Sequence, residues 1–264
     1  MASRPIWYEL MVADPAPVVP FYRAALGWDI PASGAPMPNG GTYRMIGRAD
    51  GGNAGGLFTL TPGMLDAGAR PGWFIYFHVA DVDAAVAQAV ALGGAVMMPA
   101  WSAEPGRMAM VTDPHGAPFY LMNPNPPPGQ PDAVSDVFDT DRPGHCRWNE
   151  LQTPDEPAAT AFYTTLLGWT AENAMPMGDR GEYRFVECDG VAIGAINPWM
   201  AEGTVPGWLP YFGVTDIDAA RAAAAAHGGT IVQDVHQVPG DDWIFIAIDP
   251  AGATVGFVGP KAEA

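Results

Sequence analysis

The stretch Trp7-Tyr8-Glu9-Leu10, followed by Phe21-Tyr22 and Leu26-Gly27-Trp28, occurs twice in this chain. It returns as Trp148-Asn149-Glu150-Leu151, Phe162-Tyr163 and Leu167-Gly168-Trp169, at a constant offset of 141 residues. The segment Pro71–Ala85 returns as Pro206–Ala220 with 10 of 15 positions identical, and Asp113-Pro114-His115-Gly116-Ala117 returns as Asp249-Pro250-Ala251-Gly252-Ala253. Because the matches keep their order along the chain, they indicate a duplicated domain.

The composition indicates a folded chain that does not favour anionic partners. Of its 264 residues, 48% are hydrophobic, and 12 basic residues stand against 29 acidic ones, for a net charge of −17. That negative field repels phosphate backbones and anionic lipids, so we expect neither nucleic acid nor a membrane as a partner. The charge either serves solubility or attracts a cationic small molecule. Cys146 and Cys188 form no CxxC pair, and no signal-peptide pattern begins at Met1, so we predict a cytoplasmic protein with reduced thiols.

A stretch rich in proline and aspartate separates the two copies. Residues 124–144 include Pro126-Pro127-Pro128, Gly129 and Pro131 and lack apolar periodicity. This composition predicts an exposed, semi-extended linker. We therefore predict a first domain over residues 1–123 and a second domain over residues 145–260.

Within each copy, the order strand, helix and three strands is predicted twice. Ile6–Val12 is typical of a strand, and Asp14 is placed to cap a helix that ends at Gly27. Short strands are expected near residues 28–32, 42–47 and 56–61, and a second strand and helix follow at 73–79 and 81–92. Four βαβββ modules predict an α+β fold with two modules in each domain. The pattern leaves open whether the first module joins the second or the fourth.

The doubled βαβββ pattern resembles the vicinal oxygen chelate superfamily, which includes glyoxalase I, extradiol dioxygenases and bleomycin resistance proteins. The resemblance rests on Phe-Tyr with Leu-Gly-Trp in the first helix, Val-x-Asp-(Val/Ile)-Asp-Ala-Ala around the second helix and Asp-Pro-x-Gly-Ala before the last strand. These motifs cover both halves, and Trp-x-Glu-Leu in the first strand is similar to the tandem glyoxalase-like group. The resemblance implies two glyoxalase-like domains, each with a cupped mixed sheet, helices outside it and a ligand in the cup.

In the metal-dependent members of that superfamily, histidine, glutamine or glutamate side chains in the cup bind a divalent cation. The resemblance places the matching positions at Trp7, Phe74 and Tyr120 in the first copy and at Trp148, Leu209 and Gly256 in the second. None of these side chains is a usual divalent-metal ligand. We therefore predict no metal and no other cofactor, with a divalent metal at a noncanonical site as the alternative.

Strand alternation identifies the other candidate ligand-binding residues, because residues i and i+2 share a face. The predicted lining of the first cup is Trp7, Glu9, Phe74, Tyr76, His78 and Tyr120, and that of the second is Trp148, Glu150 and Tyr211. A carboxylate within an apolar strand needs a partner, and Arg44 and Arg184 are candidates for Glu9 and Glu150 and for the ligand. Each glutamate either has a structural role, in an internal ion pair or in backbone hydrogen bonds, or contacts a ligand or acts as a general base, and Glu9 is the candidate catalytic residue.

These residues predict a metal-independent protein that holds a small organic ligand, aromatic or cationic, in an aromatic-lined cup. We expect a monomer that is itself a pseudo-dimer, or a homodimer. The alternative is an enzyme of the same superfamily: a lyase, isomerase or dioxygenase-like protein that uses Glu9 as base, with a noncanonical divalent metal as a further option.

Overall fold

The computed structural model describes residues 3–130, 133–198 and 205–262. Pro131 and Asp132, which belong to the predicted linker, lie outside the described residues. The fold is α+β, as predicted, and the described residues form two mixed sheets of eight strands each. No helix within these ranges is both long and apolar enough to cross a membrane.

The elements of the first copy are β1 (Pro5–Val12), α1 (Val18–Leu26), β2 (Ala35–Pro36), β3 (Thr42–Gly47), β4 (Asn53–Thr59), α2 (Pro62–Asp66), β5 (Gly72–His78), α3 (Val82–Ala91), β6 (Ala95–Ala103), β7 (Gly106–Thr112) and β8 (Pro118–Pro124). Those of the second copy are β9 (Cys146–Gln152), α4 (Glu156–Leu167), β10 (Ala174–Pro176), β11 (Glu182–Cys188), β12 (Val191–Asn197), β13 (Gly207–Gly213), α5 (Ile217–Ala226), β14 (Thr230–Gln237), β15 (Trp243–Ile248) and β16 (Thr254–Gly259), with a 3-10 turn at Gly178–Arg180.

The two sheets repeat one topology. Their strand orders are β2-β3-β4-β1-β5-β8-β7-β6 and β10-β11-β12-β9-β13-β16-β15-β14. The first strand of each module pairs with its last strand in parallel, as β1 does with β4 and β5 with β8. The strands between them are antiparallel neighbours. Each sheet therefore consists of two βαβββ modules that are consecutive in sequence.

The first helices of the two copies begin differently. Asp155 caps α4, accepting a hydrogen bond from the Ala158 backbone N–H at 3.0 Å. The prediction that Asp14 caps α1 is wrong, because that helix begins three residues later, after Pro17, and Asp14 accepts from the Ala16 backbone N–H. The strand expected near residues 28–32 is also absent from the described elements, where a single bridge at Asp29 precedes the two-residue β2.

Compact packing groups the modules differently from their order in sequence. Unit I consists of residues 1–6, 74–135 and 148–209, and unit II of residues 7–73, 136–147 and 210–264. Unit I thus contains the second and third modules, and unit II contains the first and fourth. In unit II the helix α1 packs against α5, and in unit I α3 packs against α4.

The duplicated motifs hold each unit together. In unit II the Trp73 indole N–H donates to the Tyr22 hydroxyl at 2.8 Å, and Tyr22 donates to Asp249 at 3.0 Å. In unit I the equivalent Trp208 donates to Tyr163 at 3.0 Å, and Tyr163 donates to Asp113 at 3.4 Å. Burial raises the pKa of both aspartates, whose other oxygens accept backbone N–H groups of their own turns. The Phe-Tyr and Asp-Pro-x-Gly-Ala motifs therefore meet across the two sequence copies.

The linker is exposed at its start and packed at its end. Residues 124–130 are exposed, as predicted. The expected exposure is wrong for Val137 and Gly144, which are buried. The Gly144 carbonyl accepts a hydrogen bond from the Trp28 indole at 3.0 Å, and Asp136 forms an ion pair with the buried Arg48 at 2.5 Å. The end of the linker is therefore part of unit II.

Candidate functional site

A tryptophan, a tyrosine and a glutamate are hydrogen-bonded in series on the third module. The Trp148 indole N–H donates to the Tyr183 hydroxyl at 2.8 Å, and that hydroxyl donates to a Glu150 carboxylate oxygen at 3.0 Å. The other oxygen of Glu150 accepts from the Gln152 amide at 3.3 Å. Burial and the Glu150 charge raise the pKa of Tyr183 well above its usual value, so this phenol stays neutral and donates to a fixed carboxylate.

The first module contains the same arrangement of residue types. The Trp7 indole N–H donates to the Tyr43 hydroxyl at 2.8 Å. Glu9 is 6% exposed and pairs in register with Gly56, over which the Tyr43 hydroxyl lies. A Cβ atom at Gly56 would be 2.0 Å from that hydroxyl oxygen, so glycine is required for the tyrosine to approach. The tryptophan–tyrosine contact and the position of the glutamate are therefore duplicated together with their strands.

The arginines lie elsewhere than expected. The Arg184 guanidinium binds Glu156, with Nε 3.1 Å from a carboxylate oxygen, and also binds Glu182. The proposed pairing of Arg184 with Glu150 is wrong, because neighbouring residues of a strand face opposite sides, and Tyr183 takes the side of Glu150. Arg44 donates instead to Thr42, Thr59 and the Ala32 carbonyl.

Tyr43 and Tyr183 were missed by the sequence prediction. The signal was present in the Tyr-Arg dipeptide, which both copies contain at residues 43–44 and 183–184. The arginine of this dipeptide was predicted as a site residue because it is charged. The tyrosine beside it is the residue that contacts the tryptophan of the first strand. Periodicity alone does not say which of two adjacent strand residues faces a given side.

The second module carries an aromatic wall, defined here as Phe74, Tyr76, Trp101 and Tyr120. The rings of Tyr76 and Tyr120 are stacked, with centroids 4.1 Å apart and an angle of 8°. Phe74 and Trp101 contact Tyr120 edge-on, with centroid distances of 6.4 and 6.2 Å. The two stacked tyrosines are buried, but Phe74 and Trp101 are half-buried, so the wall presents ring surface to solvent. Trp101, on β6, was not predicted.

The fourth module has no such wall. Tyr211 pairs in register with Gly256, where the first copy pairs Tyr76 with Tyr120. A Cβ at Gly256 would be 2.3 Å from a Tyr211 ring carbon, so the Tyr211 ring lies directly on the strand. Leu209 is buried and replaces the half-buried Phe74.

His78 and its counterpart Gly213 also differ. His78 is half-buried, and burial, followed by the positive charge of Arg4, lowers its pKa below 6.5. The missing side chain at Gly213 leaves space that Arg147 fills, since a Cβ there would be 2.6 Å from the Arg147 Cδ atom. Arg147 forms an ion pair with Asp242 at 2.8 Å. The second copy thus has a paired guanidinium beside the position where the first has an imidazole.

The predicted site residues are divided between the two units. Unit I contains Phe74, Tyr76, His78, Tyr120, Trp148, Glu150 and Arg184, and unit II contains Trp7, Glu9, Arg44 and Tyr211. The structure brings together Phe74, Tyr76 and Tyr120 in the wall, and Trp148 with Glu150 through Tyr183.

The side chains at the positions where the resemblance places metal ligands do not fit a divalent cation. Trp7 and Trp148 offer only an indole N–H, which is donated to a tyrosine, and Phe74, Leu209 and Gly256 offer no side-chain donor atom. Tyr120 is buried in a ring stack. Across the described ranges, His, Cys, Asp and Glu nowhere form a group of three suited to hold a metal ion.

Comparison with known proteins identifies relatives of the whole chain and of its halves. A protein of Mycobacterium tuberculosis named "Putative glyoxylase CFP32" is 32% identical over 260 residues, which cover 98% of this chain and 95% of that protein. DauV, an anthracycline biosynthesis protein of Streptomyces sp. strain C5, is 37% identical over 125 residues, covering 42% of this chain and 45% of DauV.

Solved structures with the same fold have low sequence identity to this chain. The Mn(II)-bound glyoxalase from Novosphingobium aromaticivorans superposes with a TM-score of 0.63 at 16% identity, covering 99% of this chain and 84% of that one. The 2,3-dioxygenase LapB from Pseudomonas sp. KL28 gives 0.63 at 15% identity, covering 100% and 94%. The family model of the Glyoxalase/Bleomycin resistance protein/Dioxygenase superfamily matches residues 4–121 and 142–257, and the chain belongs to that superfamily.

Proposed function

We propose that the protein binds a small organic molecule with a flat ring and a polar or cationic group, and that it does so without a divalent metal. The observation that carries this proposal is the aromatic wall, in which half-buried Phe74 and Trp101 flank a stacked pair of tyrosines. Binding sites for small molecules are commonly lined by aromatic side chains with a few polar groups.

The wall favours a ring because its own geometry is fixed. Tyr76 and Tyr120 support each other, so Phe74 and Trp101 have little freedom to lose when a ligand contacts them. A ring pair contributes about 0.5–1.5 kcal/mol beyond the area that it buries. Two half-buried rings therefore supply affinity for a planar ligand without a strong polar contact.

The glutamates favour a cation or a hydrogen-bond donor. The two oxygens of Glu150 are held by Tyr183 and Gln152, and the tyrosine remains neutral because its pKa is raised. A positioned carboxylate in a protein of net charge −17 attracts positive ligands. Glu9 on β1 pairs in register with Gly56, over which the Tyr43 hydroxyl lies, and offers a second carboxylate.

The relatives guide the choice of ligands to test. CFP32 matches the chain over nearly its whole length, and two Streptomyces proteins that match in part, DnrV and DauV, are named for anthracycline biosynthesis. Anthracyclines therefore belong in the first ligand panel, beside other planar aromatic amines and uncharged aromatic compounds.

The test combines metal analysis with fluorescence titration. Untagged protein is purified, its metal content is measured, and ligands are titrated before and after treatment with a chelator. We expect unchanged binding after chelation, and about fivefold weaker binding in Phe74→Leu and in Trp101→Leu. Glu150→Gln should weaken cationic ligands more than neutral ones, while the exposed control Glu172→Gln should not change either. Binding that requires a stoichiometric divalent metal overturns the proposal.

The second candidate is an enzyme of the superfamily that uses Glu9 as general base, as a lyase, isomerase or dioxygenase-like protein. Its support is Glu9, which is 6% exposed and lies in the middle of β1. A buried carboxylate in such a position is a candidate catalytic group. The deciding measurement is turnover of the ligand identified above, followed by Glu9→Gln. Loss of turnover with retained binding supports the enzyme, and absence of turnover in the wild-type protein rejects it.

A further inference from the structure

Arg44 and Arg184 occupy the same place in the two copies but have different partners. Each lies on the second long strand of its module, two residues after a position that pairs with a proline. Those positions are Thr42, opposite Pro36, and Glu182, opposite Pro176. The register therefore makes Thr42 equivalent to Glu182, and the comparison of the two arginines is position by position.

Arg184 binds two carboxylates of its own copy. Its Nε atom is 3.1 Å from a carboxylate oxygen of Glu156, the first residue of α4, and its Nη2 atom binds Glu182. One edge of the guanidinium, formed by Nε and Nη2, is thus occupied by two carboxylates. This is the edge that arginine commonly uses for bidentate recognition of carboxylate and phosphate.

Arg44 lacks both of these carboxylates. Pro15 replaces Glu156 in the repeat and Thr42 replaces Glu182. The Nη1 group donates to the Thr42 and Thr59 hydroxyls at 3.0 and 3.1 Å, and Nη2 donates to the Ala32 carbonyl at 3.3 Å. The Nε atom is buried and has no hydrogen-bond partner. Among the described residues, no Asp or Glu oxygen lies within 4.0 Å of this guanidinium.

Burying a guanidinium that has only neutral partners costs folding free energy, and such an arrangement is unusual. Arg44 is 9% exposed, and an arginine side chain does not lose its charge at any ordinary pH. Buried charges are normally paired, and even the half-buried Arg184 binds two carboxylates. The unpaired Nε and the weakly held Nη2 lie on the very edge at which Arg184 binds its carboxylates.

The segment that covers Arg44 is lightly held. It includes Ala32, whose carbonyl accepts from Nη2, and Gly34, where a Cβ atom would be 3.0 Å from Nη1. Residues 31–33 are exposed, and the segment joins the sheet only through the two-residue β2. Because Ala32 is exposed and lies outside the strands, its carbonyl can leave Nη2 without breaking a strand pairing.

We propose that the Nε/Nη2 edge of Arg44 is a binding site for an anionic oxygen group, a carboxylate or a phosphate, supplied by a ligand. The anion takes the place that Glu156 and Glu182 take in the second copy. Arg44 faces the side of β3 opposite to Tyr43, the partner of Trp7. The second copy has no such site, since its own carboxylates fill it.

The test measures thermal stability of the full chain in phosphate, in acetate and in chloride at one ionic strength. We expect phosphate or acetate to raise the wild-type Tm by about 2–4 °C over chloride at saturation. The two anions distinguish a phosphate site from a carboxylate site. Arg44→Gln should lose this shift, whereas the surface control Arg107→Gln should retain it. An equal shift in Arg44→Gln, or no shift with either anion in the wild type, overturns the proposal.

Thr42→Glu provides the reciprocal experiment. It gives the first copy the carboxylate that Glu182 supplies in the second, and we expect it to abolish the anion-dependent shift. Because either variant can fail to fold, the wild-type protein is also studied by NMR of arginine Nε–H groups. Addition of phosphate or acetate should move the buried Arg44 signal by more than any other. Uniform movement of all arginine signals contradicts a site at Arg44.

Discussion

The two copies agree in the contacts that build the fold and differ in the contacts that remain available to a ligand. Each has a first-strand tryptophan that donates to a tyrosine of the same copy. Each also contributes a core tryptophan–tyrosine pair whose aspartate partner belongs to the other copy. They differ where the first copy has Tyr120, His78 and an Arg44 that binds neutral partners, and the second has Gly256, Gly213 and an Arg184 that binds carboxylates.

This difference shows that, after the duplication, the residues that build the core stayed the same while residues at the candidate ligand sites changed. Positions that stay identical are those whose partners lie in the core, such as Tyr22 and Tyr163. Positions that change are compensated locally: Arg147 fills the space at Gly213, and the Tyr211 ring lies over Gly256. The first copy keeps half-buried rings at Phe74 and Trp101 and a buried Nε atom without a partner at Arg44, so both proposed sites are assigned to it.

The largest effect is expected at a pair of equivalent glycines. A Cβ at Gly55 would be 2.1 Å from the Tyr8 carbonyl oxygen, and one at Gly194 would be 2.0 Å from that of Asn149. Gly55→Ala and Gly194→Ala should each destabilise the protein by about 3 kcal/mol or more, because backbone must move. Chemical denaturation measures both, and Gly63→Ala, where a Cβ meets nothing within 4 Å, is the control. A strong effect in one copy alone would break the equivalence.

The next effect tests the crosswise core contacts. Tyr22→Phe removes a donor from Asp249 and an acceptor from Trp73, and Tyr163→Phe does the same to Asp113 and Trp208. We expect about 2 kcal/mol of destabilisation for each, because buried polar atoms lose their partner. Both variants are compared by urea unfolding with the wild type. Unequal losses would show that one of the two contacts is weaker in solution.

A smaller and asymmetric effect is expected at the arginines. Arg184→Met leaves the buried Glu156 with Thr160 as its remaining side-chain partner and should cost about 1.5 kcal/mol. Arg44→Met removes a buried charge that has no carboxylate partner, so in chloride its cost should stay within about 0.5 kcal/mol. The free energies of unfolding decide. Equal costs would contradict the difference in pairing described here.

The smallest effect concerns His78, which the second copy lacks. Its pKa should lie below 6.5 in an NMR titration, and Arg4→Gln should raise the pKa only part of the way, because burial is the larger cause. A depressed histidine pKa means that the unfolded chain binds the proton more readily, so this contribution to stability is present above pH 6.5 and is lost as the pH falls. A pKa at or above 6.5 would contradict the burial of the ring.

Much of the fold could be predicted from the sequence because the repeat supplied two samples of each motif. Strand and helix order, the α+β class and the superfamily followed from motifs such as Asp113–Ala117 and its copy. The partner of each motif could not be predicted. Tyr22 and Tyr163 have the same local sequence, and so do the turns at Asp113 and Asp249, so sequence alone cannot say which tyrosine meets which aspartate.

The site was predicted less well, for a reason of geometry. Trp7, Glu9, Trp148 and Glu150 lie on the first strand of their copy, as the repeat predicts. The tyrosine partners of Trp7, Trp148 and Glu150 lie on β3 and β11, more than 30 residues away. Trp101 was overlooked because β6 is irregular, with shifts of register on both sides of Met98. Such bulges reset the alternation from which faces are assigned.

The crossed bonds from Tyr22 to Asp249 and from Tyr163 to Asp113 have a consequence for any attempt to divide this molecule. A chain of half the length would contain one such tyrosine and one such aspartate. Each of them would find its hydrogen-bond partner only in a second chain. Two half-length chains could form both hydrogen bonds only as a dimer with twofold symmetry. The proline-rich connector thus joins within one polypeptide what would otherwise depend on concentration, and a cut there should leave the two fragments associated.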